Sequence, residues 1–298
     1  MNVSNKIKEM FSEYTFIKIE EIKKGWSKDQ KFYLEDYKHR HYCLRISPVE
    51  EAVKKEQQFS RLQKLTALPL NIPKPLRLVK DEKIYSLLTW VEGNSLEDEI
   101  SKLNFDEQYK LGLEAGKILF SIHQVKIETK ISWQDVIIRK TKEKLTTFAD
   151  LNINFPKKEK VISYIEDNIN ILYEQNVVLN HGDFHIGNMV IDDNNKLGIV
   201  DFDKMGIEDW VCDFKPFVWN VWKSPLFATG LIDGYFKGEV PKTFFQKLSV
   251  YAAINLISHI PWAMRFDQKE VDIAYQVVKD TLYWFDDFKE VVPKWYNK

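Results

Sequence analysis

The chain has 298 residues, 44% of them apolar, with 43 Lys and Arg against 44 Asp and Glu for a net charge of −1. That composition supports two units with cores of their own and excludes a nucleic-acid-binding surface built on bulk charge. Two cysteines far apart in sequence, Cys43 and Cys212, suggest neither a zinc site nor a secreted disulfide framework, and no apolar run reaches the roughly 18–20 residues of a membrane span.

The first residues are polar and lead into an amphipathic helix over 3–14, so no signal peptide is expected and a reducing cytoplasm is the simplest compartment. Alternating segments at 16–21, 31–36 and 41–46 predict three antiparallel strands, the first two joined by a turn, Lys24–Gln30, with one glycine. Pro48 precedes a helix over about 49–68. Val53, Phe59, Leu62 and Leu65 give it an apolar face, with Glu56 near the same side. After Pro73-Lys74-Pro75 come two more strands, 76–79 and 84–89, around the charged turn Lys80-Asp81-Glu82-Lys83. Residues 90–95 leave that sheet. Helical patterns then dominate: 107–123, with Leu111, Leu113, Ala115, Ile118, Leu119 and Ile122 on one stripe, then 133–148, 157–175, 213–221, 226–236, 243–265 and 269–285. A sheet with one long helix, followed by a mostly helical remainder, predicts an α+β chain of two lobes, 1–93 and 94–298.

Within the helical part lies a segment of another kind. His181-Gly182-Asp183 is followed by Asn188, an apolar strand 189–191, the turn Asp192-Asp193-Asn194-Asn195, a second apolar strand 197–200, and Asp201-Phe202-Asp203. Asn188 lies just before the first of these strands and Asp201 just after the second, so a paired hairpin is expected to set them side by side. An amide oxygen beside a carboxylate suits Mg²⁺, which takes hard oxygen ligands and keeps positions for water and phosphate. Asp183 is then placed to meet a hydroxyl arriving at a metal-bound phosphate, the arrangement that phosphoryl transfer requires.

Protein kinases carry His-Arg-Asp with an Asn five residues after the Asp, then Asp-Phe-Gly beyond a strand pair. Here Gly182 stands for the Arg and Asp203 for the Gly. Those substitutions, with the later Gly206, Asp209 and Asp213, resemble the aminoglycoside phosphotransferase family of small-molecule kinases. Asp201 leads to Asp213 within a dozen residues, with no activation segment or Ala-Pro-Glu anchor. That favours a small-molecule acceptor.

The resemblance implies a protein-kinase-like fold, with nucleotide binding in 1–93 and catalysis and acceptor binding in 94–298. It implies Asp183 as the catalytic residue, Asn188 and Asp201 as metal ligands, and Mg²⁺ with ATP or GTP as co-substrate. On the third strand, where the family carries a phosphate-pairing lysine, stands Arg45; Lys31 on the strand before is a second candidate. The 24–30 turn would cover the phosphates with its backbone N–H groups and Ser27. Glu56 would orient the strand-three cation. Thr89, Trp90 and Val91 would be the hinge that reads the base through the backbone. His181, Asp209 and Asp213 would brace the catalytic loop, and Asp203 would either help place a second metal ion or cap the next turn. Trp262, Asp267 and Glu270 mark the region where the family builds its acceptor pocket.

The function implied is transfer of a γ-phosphate to a hydroxyl of a small molecule, an aminoglycoside or other antibiotic among the candidates. A housekeeping kinase of a sugar or amino alcohol is an alternative. So is a nucleotide-binding pseudokinase, or a non-enzymatic scaffold of the same fold. No nucleic-acid or membrane partner is expected, and the sequence does not fix an oligomeric state.

Overall fold

A computed structural model of the chain describes residues 3–23, 28–174 and 176–296. Its contacts divide the chain into two compact units: Met1–Ser95 with Met189–Met205, and Leu96–Asn188 with Gly206–Lys298. The architecture is α+β, an antiparallel sheet in the first unit and mostly helix in the second.

The first unit opens with α1 (Val3–Met10), β1 (Phe16–Ile22), β2 (Gln30–Asp36) and β3 (His41–Pro48). A single 3₁₀ turn, Val49–Glu51, leads into α2 (Ala52–Leu65), and β4 (Pro75–Lys80) and β5 (Lys83–Thr89) complete the sheet in the order β1-β2-β3-β5-β4. Strand pairing turns Phe32, Leu34, Leu44, Ile46 and Leu87 inward, where they pack with Ile7 of α1 and Phe11 just after it. Buried Asp36 closes the β2–β3 hairpin, accepting from the Lys38 and Arg40 backbone, Arg40 Nε and Tyr42 Oη.

The long helix is rotated from the sequence expectation. Its buried stripe is Ala52, Lys55, Gln58, Leu62 and Leu65, whereas Val53 is 66% exposed. Glu56 is exposed too and pairs with Lys80 at 3.5 Å, so it does not orient a strand-three cation.

The strand β6 (Asn94–Ser95) ends the first stretch of this unit. After β7 (Val177–Asn180), which belongs to the second unit, the chain returns with β8 (Met189–Ile191) and β9 (Leu197–Ile199), which form a sheet in the order β6-β8-β9.

The second unit contains α3 (Leu96–Glu99), α4 (Phe105–His123), α5 (Trp133–Asp150), α6 (Lys158–Asn168), and β10 (Gly206–Asp209), which pairs antiparallel with β7. It continues with α7 (Phe217–Lys223), α8 (Pro225–Phe236), α9 (Lys242–Ala263) and α10 (Gln268–Trp284). Helix starts follow capping chemistry. Asn104 and Glu107 make a reciprocal capping box on α4, Ser224 caps α8 with Pro225 in the first turn, and Asp267 caps α10. The expected helix over 213–221 is instead two pieces: Asp209 caps a 3₁₀ turn, Trp210–Phe214, and α7 starts afresh after Pro216. The core is rich in aromatic rings, with Trp210 stacked on Tyr235 and Phe244. Among the described residues no helix is long and apolar enough to cross a membrane.

Candidate functional site

The cleft of the first unit has an apolar side and a charged end. Leu62, Leu88 and Val200 are among its apolar walls, with Thr89, Trp90 and Val91 on its rim; Lys31, Arg45, Lys55, Asp201 and Asp203 line the charged part. At the rim, the Thr89 and Trp90 N–H groups already donate to the carbonyls of Lys74 and His41, at 2.9 and 3.0 Å. The Thr89 hydroxyl accepts from Lys74 N at 2.8 Å.

Arg45 reaches this cleft from β3 and is 8% exposed. Its guanidinium pairs with three carboxylates: Asp201 at 2.8 Å, Asp29 at 3.1 Å and Asp203 at 3.1 Å. Lys31 on β2, whose Cα pairs with that of Arg45, adds a contact to Asp201 at 3.1 Å. The remaining cation comes from α2. Lys55 pairs with Asp29 at 2.7 Å and with Asp203. Two further α2 side chains hold the segment after β9 by its backbone: Gln58 donates to the Asp203 carbonyl, and Arg61 donates to the Met205 carbonyl at 3.1 Å.

Burial alone pushes the Asp201 carboxyl up, but Arg45 and Lys31 outweigh it and hold the group at about 2. Asp29 is likewise lowered, Lys55 and Arg45 overcoming its burial. Asp201 also sits in the left-handed region, φ 62° and ψ 57°. Asp is among the non-glycine types that visit this region most readily. Ser27 and most of the turn around it lie outside the described residues.

The second unit holds the His181–Asn188 loop between β7 and β8. Fully buried Asp213 anchors it, accepting from the His181 N–H at 2.9 Å and the Gly182 N–H at 2.6 Å. Gly182 has φ 88°, which only glycine adopts without strain, and this explains Gly where a longer side chain was the comparison. Asp213 also faces His123 Nε2 at 3.0 Å, and His123 Nδ1 meets the Tyr235 hydroxyl at 2.9 Å. Burial works against the Asp213 charge, yet these donors keep its carboxyl below the usual range.

Within the loop, the Asp183 N–H donates to His181 Nδ1 at 3.2 Å, so His181 acts on the backbone. Asn188 Nδ2 donates to the Asp183 carbonyl at 2.9 Å and to its carboxylate at 3.3 Å. With its nitrogen so engaged, Asn188 has its amide oxygen left for another partner. Asn220 on α7 accepts from Ile186 N at 2.8 Å and fixes the loop's far side.

The hairpin register differs from the expectation by one residue. Met189 pairs with Ile199 and Ile191 with Leu197, so the residue after Ile199 that would oppose Asn188 is Val200, not Asp201. The left-handed turn of the chain at Asp201 follows directly.

Of the residues expected at the acceptor pocket, Asp267 accepts from Glu270 N at 3.1 Å as the cap of α10. Trp262 lies in a run of rings from Trp219 through His259 to Phe266. Asp209 caps the 3₁₀ turn through Val211 N and faces Lys247 at 3.5 Å.

Asp29, Lys55, Gln58, His123, Tyr235 and Asn220 were not singled out in the sequence. For Lys55 and Gln58 a signal existed: Ala52, Leu62 and Leu65 share a helical stripe with them, and polar residues inside such a stripe ask for partners. The others are joined to the sites only by long-range folding.

The family model described as the phosphotransferase enzyme family matches residues 18–244. Solved structures agree over nearly the whole chain. The GDP complex of aminoglycoside 2'-phosphotransferase-IIIa is 15% identical, with TM-score 0.74, and the match covers 93% of this chain and 96% of that one. ADP-bound aminoglycoside phosphotransferase APH(2'')-Ib is 16% identical, with TM-score 0.67, covering 93% and 98%. Spectinomycin phosphotransferase APH(9)-Ia, with ADP and spectinomycin, is 14% identical, with TM-score 0.64, covering 92% and 93%. No curated protein sequence matches the chain. At these identities the structures establish the fold, and the family match over three quarters of the sequence establishes the kinship: the chain belongs to the phosphotransferase enzyme family.

Proposed function

We propose that this phosphotransferase moves the γ-phosphate of ATP or GTP to a hydroxyl of a small molecule, with Mg²⁺ as cofactor. The observation that carries the reading is the charged end of the first unit's cleft, where Asp201 turns a left-handed corner into Arg45 and Lys31. Phosphoryl transfer needs positioning and charge neutralisation more than covalent chemistry, and cations gathered beside apolar walls suit the two ends of a nucleotide.

In this reading the apolar walls take the base. Thr89 and Trp90 N–H groups are committed within the protein, so backbone donation to the base falls to Val91. Arg45 and Lys31 take phosphate oxygens, Arg45 with the bidentate geometry of a guanidinium. Asp201 and Asn188 each carry the hard oxygens that Mg²⁺ takes, and the ion would neutralise charge on the transferring group. Asp183 aligns the acceptor hydroxyl and receives its proton as the bond to phosphorus forms. Its carboxylate is held by the Asn188 amide and its N–H by His181.

The neighbours' bound ADP and GDP support a nucleotide co-substrate. Spectinomycin in one of them supports an antibiotic-like polyol as the first acceptor class to try, with sugars and amino alcohols next.

Thermal unfolding with ATP or GTP, each with and without Mg²⁺, tests the reading. A ligand at about 100 times its Kd stabilises the native state by roughly 2.7 kcal/mol. The expected result is a Mg²⁺-dependent rise in Tm with one nucleotide, lost in Asp201→Ala. No rise with either nucleotide at millimolar concentration, or an undiminished rise in Asp201→Ala, would contradict it.

A further inference from the structure

The first unit gathers three cations and three carboxylates, and their depth is ordered. Asp29 is innermost, its side chain 2% exposed, followed by Lys55 at 4% and Arg45 at 9%. Lys31 at 14%, Asp203 at 18% and Asp201 at 32% lie nearer the open side. Buried charges are costly unless paired, and a lysine as deep as Lys55 is rare without close carboxylates. Asp29 meets that need twice: one oxygen, Oδ2, accepts from Lys55 Nζ at 2.7 Å and from Arg45 Nε at 3.1 Å.

The acid expected to orient the strand-three cation, Glu56, faces solvent, and the charged residue on the buried stripe of α2 is a lysine. We propose that Asp29 is the positioning residue of this site: from behind, it holds Arg45 and Lys55 together as a two-cation clamp for the phosphates of a nucleotide. The inference rests on the nucleotide reading above and deepens it, assigning Lys55 to the phosphates and Asp29 to the clamp.

The depth order separates the two kinds of carboxylate. Asp201 and Asp203 face the cations from the accessible side, where phosphate oxygens would compete for the same donors. Asp29 lies beyond that competition, so its bonds persist when the outer partners exchange. Asp29 takes the guanidinium at Nε and Nη2, both at 3.1 Å, which leaves Nη1, now on Asp201 at 2.8 Å, turned to the accessible side where phosphate would bind.

The test is calorimetric titration of the full chain with Mg²⁺-nucleoside triphosphate and with the bare nucleoside. Wild type is compared with Asp29→Asn, Lys55→Met and Glu56→Gln. Loss of one charge-assisted contact is expected to weaken triphosphate binding about tenfold in Lys55→Met, and at least as much in Asp29→Asn. Nucleoside affinity should stay within about twofold, and Glu56→Gln should match wild type for both ligands. Asp29→Glu should recover part of the loss.

If Lys55→Met binds triphosphate as tightly as wild type, or loses triphosphate and nucleoside affinity equally, the clamp is refuted. Should Asp29→Asn fail to fold, Lys55→Met, which removes the buried cation and keeps its aliphatic length, decides alone. If wild type binds neither ligand, the nucleotide reading itself fails and takes this inference with it.

Discussion

Asp209 is fully buried; its Oδ1 accepts from Val211 N at 2.9 Å, but Lys247 stands 3.5 Å from its Oδ2, too long for a strong hydrogen bond. Burial therefore dominates and pushes its carboxyl up to about 6, against the partial opposition of Lys247. A carboxyl raised on folding takes up a proton as the chain folds. Stability from this group is thus greatest below the unfolded value near 4, declines as pH rises through about 6, and is flat above. Glu208 next to it runs the other way. Burial raises it, but Lys215 and Lys140 outweigh that and hold it at about 2, so its contribution is lost as pH falls from about 4 toward 2. The windows are separate, and one substitution isolates the first. Asp209→Asn keeps an oxygen to cap Val211 N and removes the titration. Urea unfolding at pH 4 to 7 should show wild type losing on the order of 1–3 kcal/mol across that range relative to the variant. Parallel profiles would mean that Asp209 does not titrate there.

Single residues were unevenly legible. Asp183, Asn188 and Asp201 stood out because their order and spacing along the chain match the motif of the resembled family, whatever surrounds them. Asp29 did not, since an aspartate before a strand reads as part of a turn. Only the fold brings Lys55, 26 positions away, to 2.7 Å from it.

At the scale of elements, α2 shows how a helix phase is misread. Two stripes fit the sequence: 53-56-59-62-65 and 52-55-58-62-65. They share Leu62 and Leu65, and apolar Val53 and Phe59 favour the first. The second is buried because Asp29 and Asp203 satisfy Lys55 and the Asp203 carbonyl satisfies Gln58, so the polar residues find partners inside. Hydrophobic periodicity cannot anticipate partners 26 and 148 positions away. The one-residue error in the hairpin has a similar origin: the Asp192–Asn195 turn leaves register open by a position, and pairing of Met189 with Ile199 decides it.

A tighter test of element packing lies where α4 crosses α8. Gly112 and Gly116 meet Gly230 and Gly234 so closely that a Cβ on Gly116 would fall 2.1 Å from the Leu231 carbonyl oxygen. Alanine favours an isolated helix over glycine by about 0.5–1 kcal/mol. Here the backbone clash reverses the sign, and Gly116→Ala is expected to destabilise by at least about 2 kcal/mol, read as a lower urea midpoint. A midpoint equal to wild type or higher would mean that the helices are farther apart than described.

At the scale of the whole molecule, five strands and two helices, then seven helical patterns, were sufficient for the α+β class. The chemistry was sufficient for the family, because both follow from local patterning. Less visible was that Met189–Met205, embedded in the helical half of the sequence, packs with the sheet-bearing unit. Asp201 and Asp203 thereby join Arg45, Lys31 and Lys55, while Asp183 keeps company with His181, Asn188 and Asp213 in the other unit.

Phosphoryl transfer is the central claim, and γ-³²P-labelled ATP and GTP offered with Mg²⁺ and a panel of aminoglycosides, sugars and amino alcohols measures it directly. Wild type is expected to label at least one hydroxyl acceptor. Asp183→Ala should lower that rate by about 10²–10⁴-fold while still binding the nucleotide. Labelling of an acceptor at an undiminished rate by Asp183→Ala, or binding of Mg²⁺-nucleotide with no transfer to any of these hydroxyls by wild type, would contradict the assignment.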